Sequence, residues 1–198
     1  MKPADASLLD AARSRPRTGG ASFTRRSRLT RAAFVVCWAL LASWTPPPLR
    51  GWRALILRAF GARLGKGANV YASARIWHPG LLVMGDYATI GPRVTCYNQA
   101  RVTLGAYALV SQDATLCAGT HDYEDAAFQL RTRPITLGAN AWVAAEAFVG
   151  PGVTVGAGAV LGARGVAMKD LAPDTVYAGH PAVAIKRRRI RVQDRAAA

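Results

Sequence analysis

Three histidines, at positions 78, 121 and 180, are the first residues in this 198-residue chain able to move a proton near neutral pH. His121 stands in CAGTHDYEDAAF, immediately before a stretch that breaks the surrounding pattern. An imidazole there can face a loop-lined cleft and act as a general base, or be a corner residue satisfied by a backbone carbonyl. His78, before Pro79, and His180, in GHPA, read as turn residues. The three are far apart and no two are close in sequence, so converging imidazoles for zinc are not expected, and no metal is. Cys117 lies four residues before His121 but holds a position where a small side chain is wanted for packing. Cys96 reads as core. Asn98, in CYNQ, lies one repeat coil below His121 and could orient a hydroxyl-bearing substrate or shape a turn. Asp122, Glu124 and Asp125 either reach the cleft or solvate the loop.

What must position these residues is a repeat. From Leu137 to Ala172 the chain reads LGANAW, VAAEAF, VGPGVT, VGAGAV, LGARGV, AMKDLA. The first position is aliphatic or Ala and the fifth mostly small. Neither a helical period nor plain alternation fits. A period of six is the signature of a parallel β-helix, whose short strands meet at tight corners around one shared core. Hexads also start at Leu64, Val70, Ile76, Met84, Ile90, Cys96, Leu104, Val110 and Leu116. Three hexads make one triangular coil, so about five coils are expected over residues 64–176. Extra residues fall at 82–83, 102–103 and 122–136, all after the last hexad of a coil and hence at one corner of the prism. Ala145 with Ala163, and Glu146 with Arg164, hold equivalent places in coils four and five. They should stack, the alanines as a smooth groove and the charged residues as an ion pair.

Charge is unevenly spread. The net +15 divides into +11 over residues 1–66, −1 over 67–183 and +5 over 184–198. A neutral repeat body argues against nucleic acid, which favours a basic stripe on the folded surface. Basic ends beside apolar segments suit an anionic membrane surface, or are solvated tails. Residues 1–22, rich in Arg, Ala, Pro, Gly and Ser, are expected to be disordered. Two amphipathic helices are expected within 23–63. The apolar run Ala32–Trp44 spans 13 residues, short of the ~20 needed to cross a bilayer, and Pro46–Pro48 stop it. These helices could cap the open end of the prism, lie on a membrane, or do both. A short C-terminal helix and a basic tail are expected over 177–198. Three cysteines without a CxxC pair, and no secretory signal pattern, point to the cytoplasm, at most peripheral to the membrane's inner face.

The hexads, the string GTHDYEDAAF, the block from Trp142 to Lys186 and the N-terminal FTRRSRLTRAAFVVCWALLASW together resemble the hexapeptide-repeat acyltransferases, most nearly the colanic acid biosynthesis acetyltransferases. The likeness spans about residues 23–187. It implies an all-β solenoid with a left-handed parallel β-helix, a homotrimer, and an acetyl-CoA site between subunits. It further implies transfer of an acetyl group to a hydroxyl of a sugar or lipid-linked oligosaccharide, with His121 as catalytic base. Ala145, Ala163, Met168, Lys169 and Lys186 are placed along the coenzyme, and Asn98 and Asp122 near the acceptor. Met168 replaces a hydroxyl residue, and Val183 stands where some relatives have arginine. A backbone N–H near Ala144 or Ala145 would serve the oxyanion. The competing expectation is a non-catalytic β-helix scaffold or a membrane-surface assembly protein.

Overall fold

The computed structural model describes residues 8–189. Three sheets form the faces of a left-handed triangular prism, with five full coils and the start of a sixth. The first face stacks Arg63–Leu64, Leu82–Met84, Val102–Leu104, Ile135–Leu137 and Thr154–Val155, all parallel. The second stacks Asn69–Val70, Thr89–Ile90, Leu109–Val110, Trp142–Val143, Val160–Leu161 and Thr175–Ala178. The third stacks Arg75–Ile76, Thr95–Tyr97, Thr115–Cys117, Phe148–Val149 and Val166–Ala167.

Hexad chemistry accounts for this geometry. First-position residues such as Ile90, Val110, Leu137 and Val155 and fifth-position residues such as Ala88, Ala108, Ala141 and Ala159 are fully buried in one continuous core. The fourth residue makes the corner. Tyr87, Arg93, Tyr107, Asp113, Asn140, Glu146 and Arg164 all have φ between 55° and 59°. A left-handed backbone costs an L-residue about 1–2 kcal/mol. Stacking offsets that cost, because each such corner N–H donates to an oxygen one coil below, a carbonyl in every case but Arg93, whose partner is the Ser73 hydroxyl. Examples are Tyr107 to Asp86 at 2.8 Å, Glu146 to Gln112 at 3.0 Å and Arg164 to Ala145 at 2.9 Å. A corner is therefore stable only in a stack.

Helices α2 (Arg25–Leu41) and α3 (Arg50–Ala59) close the first coil. Thr24 caps α2 by accepting from the Ser27 amide. Phe34, Trp38 and Ala42, with Ile56 and Leu57, join the prism core. Arg53 fastens the cap. Almost wholly buried, it donates to the carbonyls of Val70, Pro46 and Pro47 and to the Thr45 hydroxyl. Charge-assisted bonds to groups that would otherwise be orphaned make a buried guanidinium tolerable. The capping role is thus realised.

Three expectations are corrected. Residues 8–22 are ordered rather than disordered. Helix α1 (Ala11–Ser14) is capped by Asp10, and Leu8 bridges Phe23 antiparallel. Residues 1–7 lie outside the described residues. The described part of the C-terminal segment, residues 177–189, forms no helix. Val183–Arg187 turns back antiparallel onto Thr175–Ala178 and extends the second face. Its alternating, β-branched sequence pairs readily with the last strand of that face, while the tail beyond residue 189 is outside the described residues. Residues 82–83 and 102–103 are not insertions either. They pair across the first face, and the extra chain is taken up before them, at Trp77–Leu81 and Asn98–Arg101.

Candidate functional site

The corner between the third and first faces is where the repeat fails in three consecutive coils, and it gathers most of the reactive side chains. In coil three the chain leaves the prism at Ala118, earlier than the expected 122. Gly119–His121 and Leu130–Thr132 pair as an antiparallel hairpin, with His121 opposite Leu130. Asp122 closes the tip. Its amide donates to the Gln129 carbonyl, one carboxylate oxygen accepts from the Glu124 amide, and the other pairs with Arg131 at 3.1 Å.

The His121 ring is held on two sides. Nδ1 lies 3.0 Å from the Phe128 carbonyl, and the Phe128 ring stacks on the imidazole at 4.4 Å and 11°. A carbonyl can only accept, so Nδ1 carries the hydrogen in this bond. The neutral ring then has its lone pair on Nε2. The ordered N-terminal segment braces this arrangement from outside. The Arg17 guanidinium sits 5.0 Å from the Phe128 ring centre, and Gln129 accepts from the Ala11 amide at 2.6 Å.

Beside the hairpin opens a cleft of about 720 Å³, lined by His121, Asp122, Tyr123, Arg131, Arg133, Pro151 and Met168 among others. Met168 reaches it from coil five by lying over Gly150, where a Cβ would stand 2.6 Å from its sulfur. Lys169 follows on the same corner, exposed. Arg131 and Arg133 were missed by sequence reasoning. The signal was the RTR string returning opposite His121, masked by the irregular loop around it.

The other expected site residues are dispersed. Ala145 and Ala163 stack at the corner between the second and third faces, beside the Arg164–Glu146 pair (2.8 Å). They are separated from His121 by the width of the third face. Lys186 is farther off, on the C-terminal hairpin opposite Val176. The Ala144 N–H donates to the Leu161 carbonyl and is excluded as an oxyanion donor. Asn98 is completely buried, contrary to a direct role toward substrate. Its oxygen accepts from the His78 amide at 3.0 Å and its NH₂ donates to the His78 carbonyl at 2.7 Å, so it pins one corner to the next. His78 is pushed below the usual imidazole range by burial and then by nearby Arg31. Burial likewise raises the Cys96 thiol to about 12, which suits an inert core residue. Among the described residues no cluster of His, Cys, Asp or Glu could hold a metal ion.

Comparisons with known proteins agree with this architecture. No protein-family model matches the chain. The Escherichia coli K12 protein named "Putative colanic acid biosynthesis acetyltransferase WcaF" is 42% identical over 154 residues, covering 76% of this chain and 85% of that one. Galactoside O-acetyltransferase from the same organism is 27% identical over 150 residues, 73% of this chain and 60% of that one. Among solved structures, a hexapeptide-repeat acetyltransferase from Vibrio cholerae superposes with a TM-score of 0.76 at 21% identity, over 84% of this chain and 95% of the other. A galactoside acetyltransferase in complex with coenzyme A gives 0.75 at 22%, over 90% and 91%. The structural likenesses establish the shared left-handed β-helix, and the sequence identity over most of both chains goes further: this chain belongs to the hexapeptide-repeat acetyltransferases, in the family of the colanic acid biosynthesis acetyltransferases.

Proposed function

We propose that the chain transfers an acetyl group from acetyl-CoA to a sugar hydroxyl during exopolysaccharide assembly in the cytoplasm, with His121 as general base. The observation that carries this reading is the Phe128 carbonyl on His121 Nδ1, which leaves Nε2 as the basic nitrogen of a residue lining the cleft. Nε2 takes the acceptor's hydroxyl proton as its oxygen attacks the thioester carbonyl. The tetrahedral intermediate then collapses, the C–S bond breaks, and the departing thiolate recovers the proton from the imidazolium. No covalent enzyme intermediate is required. Holding both substrates in one cleft supplies the remaining advantage, that of proximity.

The relatives support the donor, since one solved neighbour carries acetyl coenzyme A and another coenzyme A. Arg133, which makes no ion pair among the described residues, and Lys169 offer positive charge to its phosphates, and Met168 an apolar contact. Ala145 and Ala163, at the other corner, can line the same donor only if a second copy presents that corner to the His121 cleft. A homotrimer does this three times over. An acceptor in polysaccharide biosynthesis is supported by the 42% identical relative, which is named for colanic acid biosynthesis.

The test is acetyl transfer by the His121→Ala variant, with coenzyme A binding followed by calorimetry. Turnover should fall by about 10²–10⁴-fold, the usual contribution of general-base help, with affinity nearly intact. Unchanged turnover removes His121 from this role. Absence of coenzyme A binding by the unaltered protein would favour the scaffold reading instead.

A further inference from the structure

Helix α2 is apolar on two sides, and the cap uses one of them. Phe34, Trp38 and Ala42 face the core. On the opposite side Leu29, Val36 and Leu40 remain 71%, 58% and 67% exposed, forming an unpartnered apolar strip with Ala32 and Ala33 between them. Arg25 and Arg28 flank its N-terminal end. Trp44 and Trp52 stand exposed beside its C-terminal end, their indole N–H groups already donating to the Leu40 and Leu41 carbonyls at 2.8 and 2.7 Å. Both rings can therefore leave bulk water without orphaning a donor. An apolar strip of this length on a surface helix calls for a partner.

Charge selects the partner. Between Asp10 and Asp86 the chain has no acidic side chain and thirteen Lys and Arg. Docking two such surfaces against each other would oppose like charges, so a second copy is disfavoured on this face. Among the described residues no helix is long and apolar enough to cross a membrane, and α2 has 17 residues. An exposed apolar strip with flanking arginines and interfacial tryptophans fits the headgroup boundary instead. We infer that the outer face of α2, with Trp44 and Trp52, seats the protein on an anionic phospholipid surface, parallel to the bilayer. The inference does not depend on the chemistry at His121.

The experiment is co-sedimentation of the full chain with vesicles of phosphatidylcholine alone or mixed with phosphatidylglycerol, alongside Leu29→Ser/Val36→Ser/Leu40→Ser and Arg25→Gln/Arg28→Gln variants. Circular dichroism confirms that each retains its fold, and coenzyme A binding, read separately, should be unchanged. The unaltered protein should bind the anionic vesicles, more weakly as salt rises, and the phosphatidylcholine vesicles far less. The apolar triple variant should lose at least about tenfold in binding and the arginine pair a smaller factor. Equal binding by the folded triple variant overturns the proposal, as does absence of binding to anionic vesicles. A fall in the triple variant's sedimenting mass without vesicles would overturn it too, by assigning the face to a second copy.

Discussion

Two edges of the prism differ in how faithfully they keep the repeat. Where the second face meets the third, coils four and five turn identically. Ala145 stacks under Ala163, Glu146 under Arg164, and both charged residues hold φ near 58°. Where the third face meets the first, hardly a turn repeats. His78 and Pro79 open a 3₁₀ turn, Asn98 is buried, and coil three throws out the His121 hairpin. The regular edge is smooth because periodicity forces equal side chains into equal places. The irregular edge is chemically varied because each departure frees residues from core packing. A solenoid can put its reactive groups only where its period fails, and a regular edge can serve as a wall.

The sharpest way to break this contrast is at His121. If the irregular edge holds the chemistry, His121→Ala should cost about 10²–10⁴-fold in kcat with coenzyme A affinity nearly unchanged, read by steady-state kinetics and calorimetry. The regular stack is tested by Leu137→Ala, fully buried in coil four, which should lower unfolding stability by about 2–5 kcal/mol in denaturant titration. If the smooth edge is a coenzyme wall, Ala163→Trp should leave the melting temperature alone but raise KM for acetyl-CoA about tenfold; an unchanged KM would detach that column from the donor site. The brace behind His121 is tested by Phe128→Leu, which keeps the carbonyl but removes the stacked ring. It should cost kcat about tenfold or less, with little change in KM. Smallest is the pH response of the irregular edge. His78 is held below the ordinary imidazole range, so the unfolded chain binds its proton first as pH falls. Stability from this residue is present above about pH 6.5 and declines as pH drops from there toward the lower folded value. In thermal melts, His78→Gln should flatten that acid-side decline.

The prism was legible because its information is local and repeated. Each hexad places its first and fifth side chains inward, so Val110, Ala114 and Leu116 needed no tertiary knowledge to be assigned to the core. The place of His121 was legible for a related reason, since a break in a regular pattern is visible from the pattern alone. The surroundings of His121 were not. Phe128 looked like an ordinary loop residue, and Arg131 and Arg133 were hidden in a stretch without a period. Asn98 shows the reverse failure. Its polar side chain suggested a ligand, yet the demand of the partly buried His78 backbone claims it.

The period of six by itself determined the coiled parallel architecture, the core and the edge at which the chain departs from it, because each follows from which residues sit six apart. Only the tertiary structure decided that residues 8–22 brace the His121 hairpin, that Arg53 locks the cap, and that the expected donor residues divide between two edges and the C-terminal hairpin. Those outcomes rest on contacts such as Ala11 with Gln129, 118 residues apart, or Arg53 with Val70, between segments that share no repeat. No local period encodes them. They arise from polar and aromatic groups finding partners once the stack has brought distant segments together.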